Sequence, residues 1–570
     1  MKCLPQIILL LLCISLINCN QNKVGFQQPV ATNEALKALN ESFEKRIIKV
    51  ADNIHVAIGF GLANSILIEG KDSVIIVDCM ESIAAGAAVK AAFRKITAKP
   101  IKAIIYTHNH TDHIFGASAF AANEQPDIYA HELMPYYLDQ NAAIVRNIIE
   151  KRAYRMFGVF LDADALVNCG IGPSLNFNEH TELGVIRPNI VFRDSLFVSI
   201  AGIEMQLFHA PGETPDHLMI WLPNEKILLC GDNLYKTFPN LYTIRGTPYR
   251  DINLWKNSLD KMRYLKPEII VPSHTEPIYG NDSIQQILTD YRDAIQFIHD
   301  QTVRGMNMGL TPNELVEQIN LPQHLQQSPW LQEFYGKTAW SVRSVFDGYL
   351  GFFDGNPTNL LPLTNKENAT NIENLAGGKE ALFQQIKQAF EEEKYQWVLE
   401  LTDYFLTLHT NDNAAKDFRI RALIKLGERQ SNPNARHYYL TAALELQGLE
   451  NKSRVIPSIS MVHSVPLSVI FNGLAARLNA EKSINNNQTV VFEFTDTKEK
   501  WTVQIRKGIA EVQPFVIQKP DITIKVKTTV WKELAAKLRK PLKTYLSGEI
   551  KVDGGEIAFI NFMRLFDMEE

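Results

Sequence analysis

The densest group of reactive side chains lies in the stretch IIYTHNHTDHIFGA, residues 104–117. Directly after an apolar run it holds three histidines and one aspartate, namely His108, His110, Asp112 and His113. Crowding imidazole and carboxylate groups is costly unless a positive charge lies among them, so this spacing favours a metal site. His108 and His110 can aim both rings at one ion, while Asp112 and His113 lie on the following turn and can face a second.

Three later segments supply further donors in the same local layout of apolar strand, tight turn and ligand. HAPGETPDH places Glu213 after a Pro-Gly turn, LLCGDN ends a strand with Asp232, and IIVPSH ends another with His274. We predict a dinuclear site in which Asp232 bridges the two ions. The remaining ligands are His108, His110 and Glu213 for one ion and Asp112, His113 and His274 for the other.

The pattern of the chain predicts three domains. Between residues 45 and 310, short β-rich runs alternate with helical stretches such as 83–94 and 253–265, which indicates an α/β layer structure. Residues 311–452 have helical periodicity, beginning at TPNELVEQI with a threonine cap and a proline in the first turn. A polar link then leads to strands and helices of a small domain at 456–570.

Residues 1–19 have the layout of a secretory signal: Lys2, an apolar core from 7 to 17 and a polar exit. The apolar run is too short for an ordinary membrane span. LINC, ending at Cys19, resembles a bacterial lipobox. We therefore expect export to the periplasm, or to the outer membrane through a lipid anchor at Cys19; a buried N-terminal helix is the alternative.

The composition is typical of a globular chain and gives no indication that the chain binds polyanions. Of 570 residues 46% are hydrophobic and 21% charged, with a net charge of -5 and a pI near 6.3, which gives no electrostatic reason to expect nucleic acid as a partner. Only Cys79, Cys169 and Cys230 lie beyond the leader, so no disulfide framework is expected. Cys79 and Cys230 follow strand-like runs and are interpreted as small core residues.

The ordered metal motifs resemble those of the metallo-β-lactamase superfamily: an HxHxDH motif, a Gly-Asp strand end and a late histidine. The resemblance implies an αββα sandwich with two zinc ions per chain at one edge. Most of that superfamily has histidine at the position of Glu213. In having a glutamate there, the chain resembles the alkyl sulfatases that hydrolyse dodecyl sulfate.

Further segments resemble the same family, and together the resemblance runs from about residue 45 to the end. LYTIRGTPYRDINLW is similar to its arginine-bearing loop, and FYGKTAWSVRSVFDGYLGFFDGNPTNLLPL resembles the opening of its helical dimerisation domain. PDITIKVKTTVWKELAAKL is similar to its α+β sterol-carrier-like domain. The resemblance implies an all-α dimerisation domain, a homodimer, and an apolar tunnel in the C-terminal domain.

Three positions depart from the family pattern. Asp232 in Gly-Asp-Asn stands where the family usually bridges its metals with glutamate in Ala-Glu-Asn. Trp340 stands where many members have histidine, and HAPGETPDH is one residue shorter than the family's turn. These departures leave the identity of the leaving-group acid open.

The expected reaction is hydrolysis of an alkyl sulfate ester to alcohol and sulfate. Two zinc ions that share a water lower its pKa toward ~7, so a bridging hydroxide is available at neutral pH. We predict that Asp112 and Asp232 are catalytic residues. Arg245 is the predicted sulfate contact, because a guanidinium fork matches two oxyanion oxygens, although an inter-loop ion pair is its alternative role. Arg250 and Tyr154 are further candidates for the substrate pocket.

Two other functions compete with this one. The generic Gly-Asp bridge also suits a lactonase or β-lactamase on the same scaffold. A non-catalytic lipid-binding protein with a structural metal site is the third, but a closed structural zinc site would not need seven ligands and two ions.

The two later domains suggest partners of their own. Apolar faces in WVLELTDYFLTL, residues 397–408, and NARHYYLTAALEL, residues 434–446, exceed what one helical pair covers, which predicts a two-fold dimer. The C-terminal domain pairs a strand face with the amphipathic helix TVWKELAAKL. We expect it to collect or present the long alkyl chain of an amphiphilic sulfate ester, or alternatively only to pack against its neighbour.

Overall fold

The computed structural model describes residues 24–26 and 28–567. The predicted leader at 1–19, with Cys19, therefore lies outside the described residues. Strands of the first domain form two sheets, and one short strand, β7, belongs to neither and pairs with Val455–Pro457 of the C-terminal segment. In chain order they are β1 Arg46–Ala51, β2 Ile54–Ile58, β3 Ser65–Glu69, β4 Val74–Val77, β5 Ile101–Ile105, β6 Asp127–His131, β7 Thr181–Leu183, β8 Ile190–Phe192, β9 Ser195–Ile200, β10 Ile203–His209, β11 Leu218–Leu222, β12 Ile227–Gly231, β13 Ile269–Pro272 and β14 Ile278–Tyr279.

The two sheets face each other across one apolar core. The first has the order β1-β2-β3-β4-β5-β6-β8 and the second β14-β13-β12-β11-β10-β9. Strands β4 and β5 run parallel with Val77 opposite Ile105, and β12 and β13 run parallel with Leu229 opposite Val271. Because parallel neighbours end at the same edge of a sheet, these registers bring the loops that follow the four strands to one edge of the sandwich.

Helices cover the outer face of each sheet. They are α1 Glu34–Ala38, α2 Ile83–Phe93, α3 Thr111–Ile114, α4 Ala117–Ala121, α5 Met134–Ala143, α6 Arg146–Phe157, α7 Ile252–Leu265 and α8 Asn281–Asn307, with a 3-10 turn at Leu39–Phe43. Helices α2 and α4 pack on the first sheet, and α7 and α8 on the second. The central strands β2, β4, β11 and β12 are buried on both faces, which explains their continuous apolar runs. The predicted αββα sandwich is confirmed, and Cys79 and Cys230 lie fully buried in its outer cores.

The middle of the chain is helical, as predicted. Its helices are α9 Pro312–Gln318, α10 Gln323–Gln326, α11 Thr338–Leu350, α12 Asn365–Ala376, α13 Lys379–Glu391, α14 Tyr395–Leu408, α15 Asn413–Glu428 and α16 Pro433–Leu446, with a 3-10 turn at Pro357–Asn359. Thr311 caps α9 in a reciprocal capping box with Glu314, as the TPNE motif predicts.

The apolar helix faces expected at a dimer interface are covered within the chain instead. Helix α14 packs in one cluster with α13 and α15, and α16 packs against α15 and against α6 of the first domain. The prediction that these two faces remain unpartnered was therefore wrong, because further helices bury them. Apart from Trp397 on α14, the exposed large apolar side chains of this domain lie at the end of α11, in the following loop and on α12: Tyr349, Leu350, Phe352, Leu360, Leu361, Leu363 and Leu375.

The C-terminal domain is one sheet with helices on one face. Its elements are β15 Val455–Pro457, α17 Ile459–Ser464, α18 Leu467–Ala475, α19 Ala480–Ser483, β16 Asn487–Phe494, β17 Lys500–Arg506, β18 Ile509–Gln513, β19 Ile522–Val526, α20 Thr528–Ala535, α21 Pro541–Leu546, β20 Ile550–Asp553 and α22 Glu556–Met563. The sheet order is β18-β17-β16-β19-β20. Phe471, Phe492, Trp501 and Trp531 form the aromatic centre of its core. The predicted α+β domain is confirmed.

The first domain makes specific contacts with both of the others. Arg155 on α6 pairs with Glu445 on α16 at 2.6 Å, and β15 of the C-terminal segment runs parallel to β7. Arg187 also donates to the carbonyl of Ser464 at 2.9 Å. Within the part of the chain that is described, no helix combines the length and apolar character needed to cross a bilayer.

Gly170 offers a test of the packing between the first domain and the helical domain. Its φ is +78°, and an added Cβ would lie 2.1 Å from the carbonyl oxygen of Phe334. Gly280 has a similar φ of +89° but no atom within 4 Å of the added Cβ. We expect Gly170→Ala to lower the free energy of unfolding by about 2–4 kcal/mol and Gly280→Ala by about 1 kcal/mol, since only the first adds a backbone clash to the left-handed strain.

Urea-induced unfolding measures both effects. Equal losses for the two variants would mean that the contact between Gly170 and Phe334 does not constrain the fold.

Candidate metal centre

The predicted ligands converge at the edge of the sandwich where β5, β12 and β13 end. His108 and His110 follow β5, α3 carries Asp112 and His113, Asp232 follows β12, and His274 follows β13. Their donor atoms form two groups, each within 4.8 Å: His108, His110 and Asp232 in one, and Asp112, His113 and His274 in the other.

Asp232 occupies the position between the two groups. Its Oδ2 lies 3.7 Å from Nε2 of His108, 3.4 Å from Nε2 of His113 and 3.2 Å from Nε2 of His274. Oδ2 of Asp112 is 3.4 Å from the same His274 nitrogen. One carboxylate oxygen thus faces imidazoles of both groups, which is the geometry that a bridging ligand needs.

Glu213 lies beside the first group, on the loop between β10 and β11. Its Oε1 is 3.8 Å from Nδ1 of His110 and 3.0 Å from Nη1 of Arg250, and Tyr235 donates to its Oε2 at 3.2 Å. The carboxylate is fully buried, and burial raises its pKa while Arg250 opposes that shift. Glu213 therefore links the metal-facing histidines to a buried arginine.

Asp78, at the end of β4, positions the ligands from behind. Its Oδ1 accepts from the backbone N–H of Thr107 at 2.9 Å. Its Oδ2 accepts from the Thr107 hydroxyl at 2.8 Å, from Nδ1 of His113 at 2.7 Å and from the hydroxyl of Ser273 at 2.8 Å. Because Nδ1 of His113 donates to this carboxylate, its Nε2 keeps a lone pair for a metal.

Other histidines are oriented in the same way. The Thr107 hydroxyl donates to Asp78, so it accepts from Nδ1 of His108 at 3.0 Å. Nδ1 of His274 donates to the carbonyl of Leu62 at 2.9 Å. Both Nε2 atoms consequently face the centre, where each can give a lone pair to a metal once it has lost its proton.

The donor set fits divalent metal ions. Among the described residues, Nε2 of His113, Nε2 of His274 and Oδ1 of Asp232 are buried without a hydrogen-bond partner. Burial lowers the pKa of His274, but the carboxylates of Asp232 and Asp112 outweigh it and raise the pKa to about 10. A cluster this rich in carboxylate retains protons until a cation replaces them, and histidine with carboxylate suits a borderline divalent metal.

Backbone strain collects at the same strand ends. Asp78, Met80 and Thr275 adopt φ of 59°, 71° and 65°, although none is glycine. Such conformations cost about 1–3 kcal/mol each and persist where the surrounding structure holds them. Asp78 itself orients the ligands, and Thr275 directly follows His274.

The two arginines predicted for the substrate pocket lie beside the first metal group. Nη2 of Arg245 is 3.0 Å from Nε2 of His110, and Arg250 is fully buried against Glu213. Burial is the main cause that lowers the pKa of Arg245. Repulsion between its guanidinium group and that of the neighbouring Arg250 lowers it further. Nε and Nη2 of Arg250 have no hydrogen-bond partner among the described residues.

Tyr154 is placed differently from the prediction. Its hydroxyl donates to Glu150 at 2.8 Å and accepts from the backbone N–H of Arg454 at 3.0 Å. Because the hydroxyl is occupied between α6 and the linker to the C-terminal domain, the structure does not support a polar contact between Tyr154 and a substrate.

Four residues at the centre were not identified from the sequence: Asp78, His217, Tyr235 and Tyr335. His217 accepts the backbone N–H of Asp232 at 3.0 Å and so orients the bridging ligand. The buried hydroxyl of Tyr335 experiences the charges of Glu213, Arg245 and Asp112. Only Asp78 had a usable signal, since SVIIVDC repeats the layout of apolar strand and carboxylate found at Asp232.

Trp340, which the resemblance placed where many family members have histidine, is the third residue of α11. Its ring is partly buried, and Nζ of Lys337 lies 6.0 Å from the ring centroid. An indole N–H does not ionise near neutral pH, so the side chain at this position cannot act as a general acid.

Family models match most of the chain. Residues 58–274 match the metallo-beta-lactamase superfamily, 311–448 the alkyl sulfatase dimerisation model and 456–570 the alkyl sulfatase C-terminal model. The chain is 36% identical over 523 residues to a linear primary-alkylsulfatase of a Pseudomonas species, covering 88% of this chain and 98% of the relative. It is 27% identical to an alkyl/aryl-sulfatase of Saccharomyces cerevisiae, covering 91% of this chain and 82% of that one.

A solved structure has the same fold. The stereoselective inverting sec-alkylsulfatase of a Pseudomonas species superposes with a TM-score of 0.86 at 24% identity, covering 95% of this chain and 88% of the other.

Asp78→Asn tests whether this carboxylate prepares the histidines for metal. The substitution replaces an acceptor oxygen with an N–H donor that faces the donors of Thr107, His113 or Ser273. We expect metal affinity to fall about 10–100-fold, the usual cost of losing such support, with a smaller loss for Thr107→Val, which removes only the hydroxyl between Asp78 and His108. Competition with a chromogenic chelator measures both. Unchanged affinity in a folded Asp78→Asn protein would contradict the assignment.

Proposed function

Because this chain belongs to the alkylsulfatase family of the metallo-β-lactamase superfamily, we propose that it hydrolyses alkyl sulfate esters to an alcohol and sulfate. The substrate is an anionic amphiphile, and the metal centre at the edge of the sandwich is the active site. Three features support this function: the metal ligands, a pair of arginines beside them, and an apolar cavity in the C-terminal domain.

The observation that carries the proposal is the pair of guanidinium groups beside the first metal group. Arg245 and Arg250 repel each other, and Nε and Nη2 of Arg250 are buried without partners in the described residues. The side-chain amide atoms of the adjacent Asn240 are also buried and unpaired there. Unpaired buried donors are costly, and a sulfate group offers the several oxygens that would satisfy them.

Metal binding would itself make Arg245 available to a substrate. When Nδ1 of His110 gives its lone pair to a metal, Nε2 carries the ring proton and can no longer accept from Arg245. The guanidinium then requires another acceptor, and an anionic ester beside the metals provides one. A neutral lactone or lactam has no comparable charge. The pair of arginines therefore favours a sulfatase over a lactonase or β-lactamase.

The metal centre is proposed to hold two zinc ions. His108, His110 and Glu213 would bind one and Asp112, His113 and His274 the other, with Asp232 between them. When bound, two such ions supply the Lewis acidity that makes hydroxide available near neutral pH. Arg245 would orient the sulfate group, while Arg250 holds Glu213 in place.

The C-terminal domain is proposed to bind the alkyl chain. It contains a cavity of about 880 Å³ whose apolar lining includes Val469, Leu534 and Phe559. Six basic side chains and one acidic side chain, Asp567, also line it; the basic ones are Arg146, Arg477, Lys482, Lys532, Lys537 and Arg564. An apolar interior with a cationic rim suits a molecule that has a long chain and an anionic head.

Helix α6 connects this cavity to the sulfate loop. Arg146 at its start lines the cavity, and six residues later, about 9 Å along the helix, Arg152 donates to the carbonyl of Ile244 at 2.7 Å. Ile244 directly precedes Arg245. The two proposed binding regions are therefore joined by one rigid element.

We also propose a homodimer and export. The exposed apolar residues from Tyr349 to Leu363 leave a face that a second copy would cover, in a domain that matches the alkyl sulfatase dimerisation model. Export on the leader at 1–19, to the periplasm or as an outer-membrane lipoprotein anchored through Cys19, stays a prediction from sequence.

Arg245→Ala tests the sulfatase. We expect it to lower kcat/KM for dodecyl sulfate by about 1.5–3 kcal/mol of transition-state stabilisation, the scale of a charged hydrogen bond, with bound zinc unchanged. The kcat/KM for a neutral carboxylic ester should fall much less, if that ester is hydrolysed at all. Steady-state kinetics with metal analysis measures both, and a chromogenic lactam assayed in parallel checks the alternative. Equal losses for anionic and neutral esters would assign Arg245 a structural role.

Ala535→Phe tests the cavity, because it adds a ring to its lining without touching the metal centre. We expect KM for dodecyl sulfate to rise several-fold while KM for hexyl sulfate is unchanged, since each buried methylene contributes about 0.8 kcal/mol. Ala476→Phe, on an exposed residue of the same domain, is the matched control. If a folded Ala535→Phe protein changes KM by the same factor for both chain lengths, the cavity does not bind the substrate.

A further inference from the structure

Exposed apolar side chains lie on α21 and α22, two helices that also contribute Pro541 and Phe559 to the lining of the C-terminal cavity. Leu542 and Leu546 on α21 are 70% and 75% exposed, and Ile557 and Ile560 on α22 are 76% and 50% exposed. Leu538, which precedes α21, is also exposed. These five residues are called the docking face. Such a concentration on one small domain is unusual for a surface that meets only water.

The two helices present this face together. Tyr545 on α21 donates to Glu556 at the start of α22 at 2.7 Å, and both helices pack on β20. Leu542 and Leu546 are four residues apart, and Ile557 and Ile560 three apart, so each pair lies on one side of its helix. Ile560 also lines the cavity. The docking face and the cavity mouth are therefore continuous.

The charge around the docking face is basic, unlike the rest of the chain. Residues 537–564 contain six basic and three acidic residues, whereas the whole chain has 58 basic and 63 acidic. Two of the acidic residues are engaged locally, Glu549 with Arg539 at 2.7 Å and Glu556 with Tyr545. Within the described ranges, Lys540, Lys543 and Arg564 form no ion pair.

We propose that the docking face binds a lipid bilayer that carries anionic amphiphiles. Exposed aliphatic side chains among lysines form the combination that inserts into the interface of an anionic bilayer. A protein partner would require acidic groups arranged in a fixed pattern, whereas a bilayer needs only apolar depth and negative charge. The adjoining cavity has the polarity to receive one amphiphile drawn from that surface.

This inference goes beyond hydrolysis, because it concerns where the protein meets its substrate. Long-chain alkyl sulfates partition into membranes and make them anionic, so the bilayer presents the substrate at high local concentration. Once the domain is docked, a chain can enter the cavity through its mouth without crossing bulk water, which avoids exposing its methylenes.

Co-sedimentation with vesicles tests the proposal without using catalysis, so its outcome is independent of the proposed sulfatase activity. The full chain carries Cys19→Ser in every sample, which excludes a lipid at that position. Three vesicles are compared: phosphatidylcholine alone, phosphatidylcholine with phosphatidylglycerol, and phosphatidylcholine with dodecanesulfonate, which has no ester bond to cleave. We expect binding to both anionic vesicles and weak binding to the neutral one.

Two double variants identify the surface. Leu542→Ser with Leu546→Ser removes apolar contacts, and Lys540→Glu with Lys543→Glu reverses charge; each should weaken partition at least about tenfold. The matched controls are Phe197→Ser with Tyr264→Ser, at residues 74% and 79% exposed on the first domain, and Lys71→Glu with Lys102→Glu. The controls should bind as the parent does, and thermal melting verifies folding of all four.

Several outcomes would overturn the proposal. These are binding to none of the vesicles, equal binding by parent and docking-face variants, or equal binding to neutral and anionic vesicles. If the docking-face variants instead change the mass of the particle in light scattering without changing vesicle binding, the face joins two copies of the chain.

Discussion

The carboxylate of Asp78 is the interaction on which the rest of the metal centre depends. Fully buried at the end of β4, it accepts hydrogen bonds from Thr107 and His113 beyond the next strand of its own sheet and from Ser273 beyond a strand of the opposite sheet. One group therefore orients a ligand directly, orients His108 through Thr107, and ties the two sheets together at the edge where the metals bind. A buried carboxylate requires such donors, so the site and the sandwich stabilise each other.

Glutamate at position 213 changes what surrounds the metals. A neutral histidine there would leave Arg250 as a buried charge without a counterion, whereas the Glu213 carboxylate pairs with it at 3.0 Å. Arg250 in turn lies close enough to affect Arg245. The carboxylate at position 213 thus permits a second guanidinium group beside the centre, which is the basis of the proposed recognition of an anionic ester.

The three domains divide the recognition of an amphiphile between them. In the proposed function, the sandwich would hold the metals and the arginines for the anionic head, and the C-terminal domain would hold the alkyl chain in its apolar cavity. Helix α6 lies between these regions and also pairs with the helical domain through Arg155 and Glu445. Under this proposal, separate parts of a connected structure would recognise the length and the charge of the substrate.

The sequence by itself predicted the αββα order, which is confirmed, and a set of metal ligands of which six converge in two groups at one edge of the sandwich. Strand ends marked by apolar runs and tight turns are local signals, and His108, Asp232 and His274 each follow one. Only the tertiary structure decided the roles of Asp78, His217 and Tyr335, the pairing of Arg250 with Glu213, and the covering of the apolar faces of α14 and α16. Those outcomes depend on which elements pack together across long separations in the chain, and periodicity along one segment carries no record of its neighbours in space.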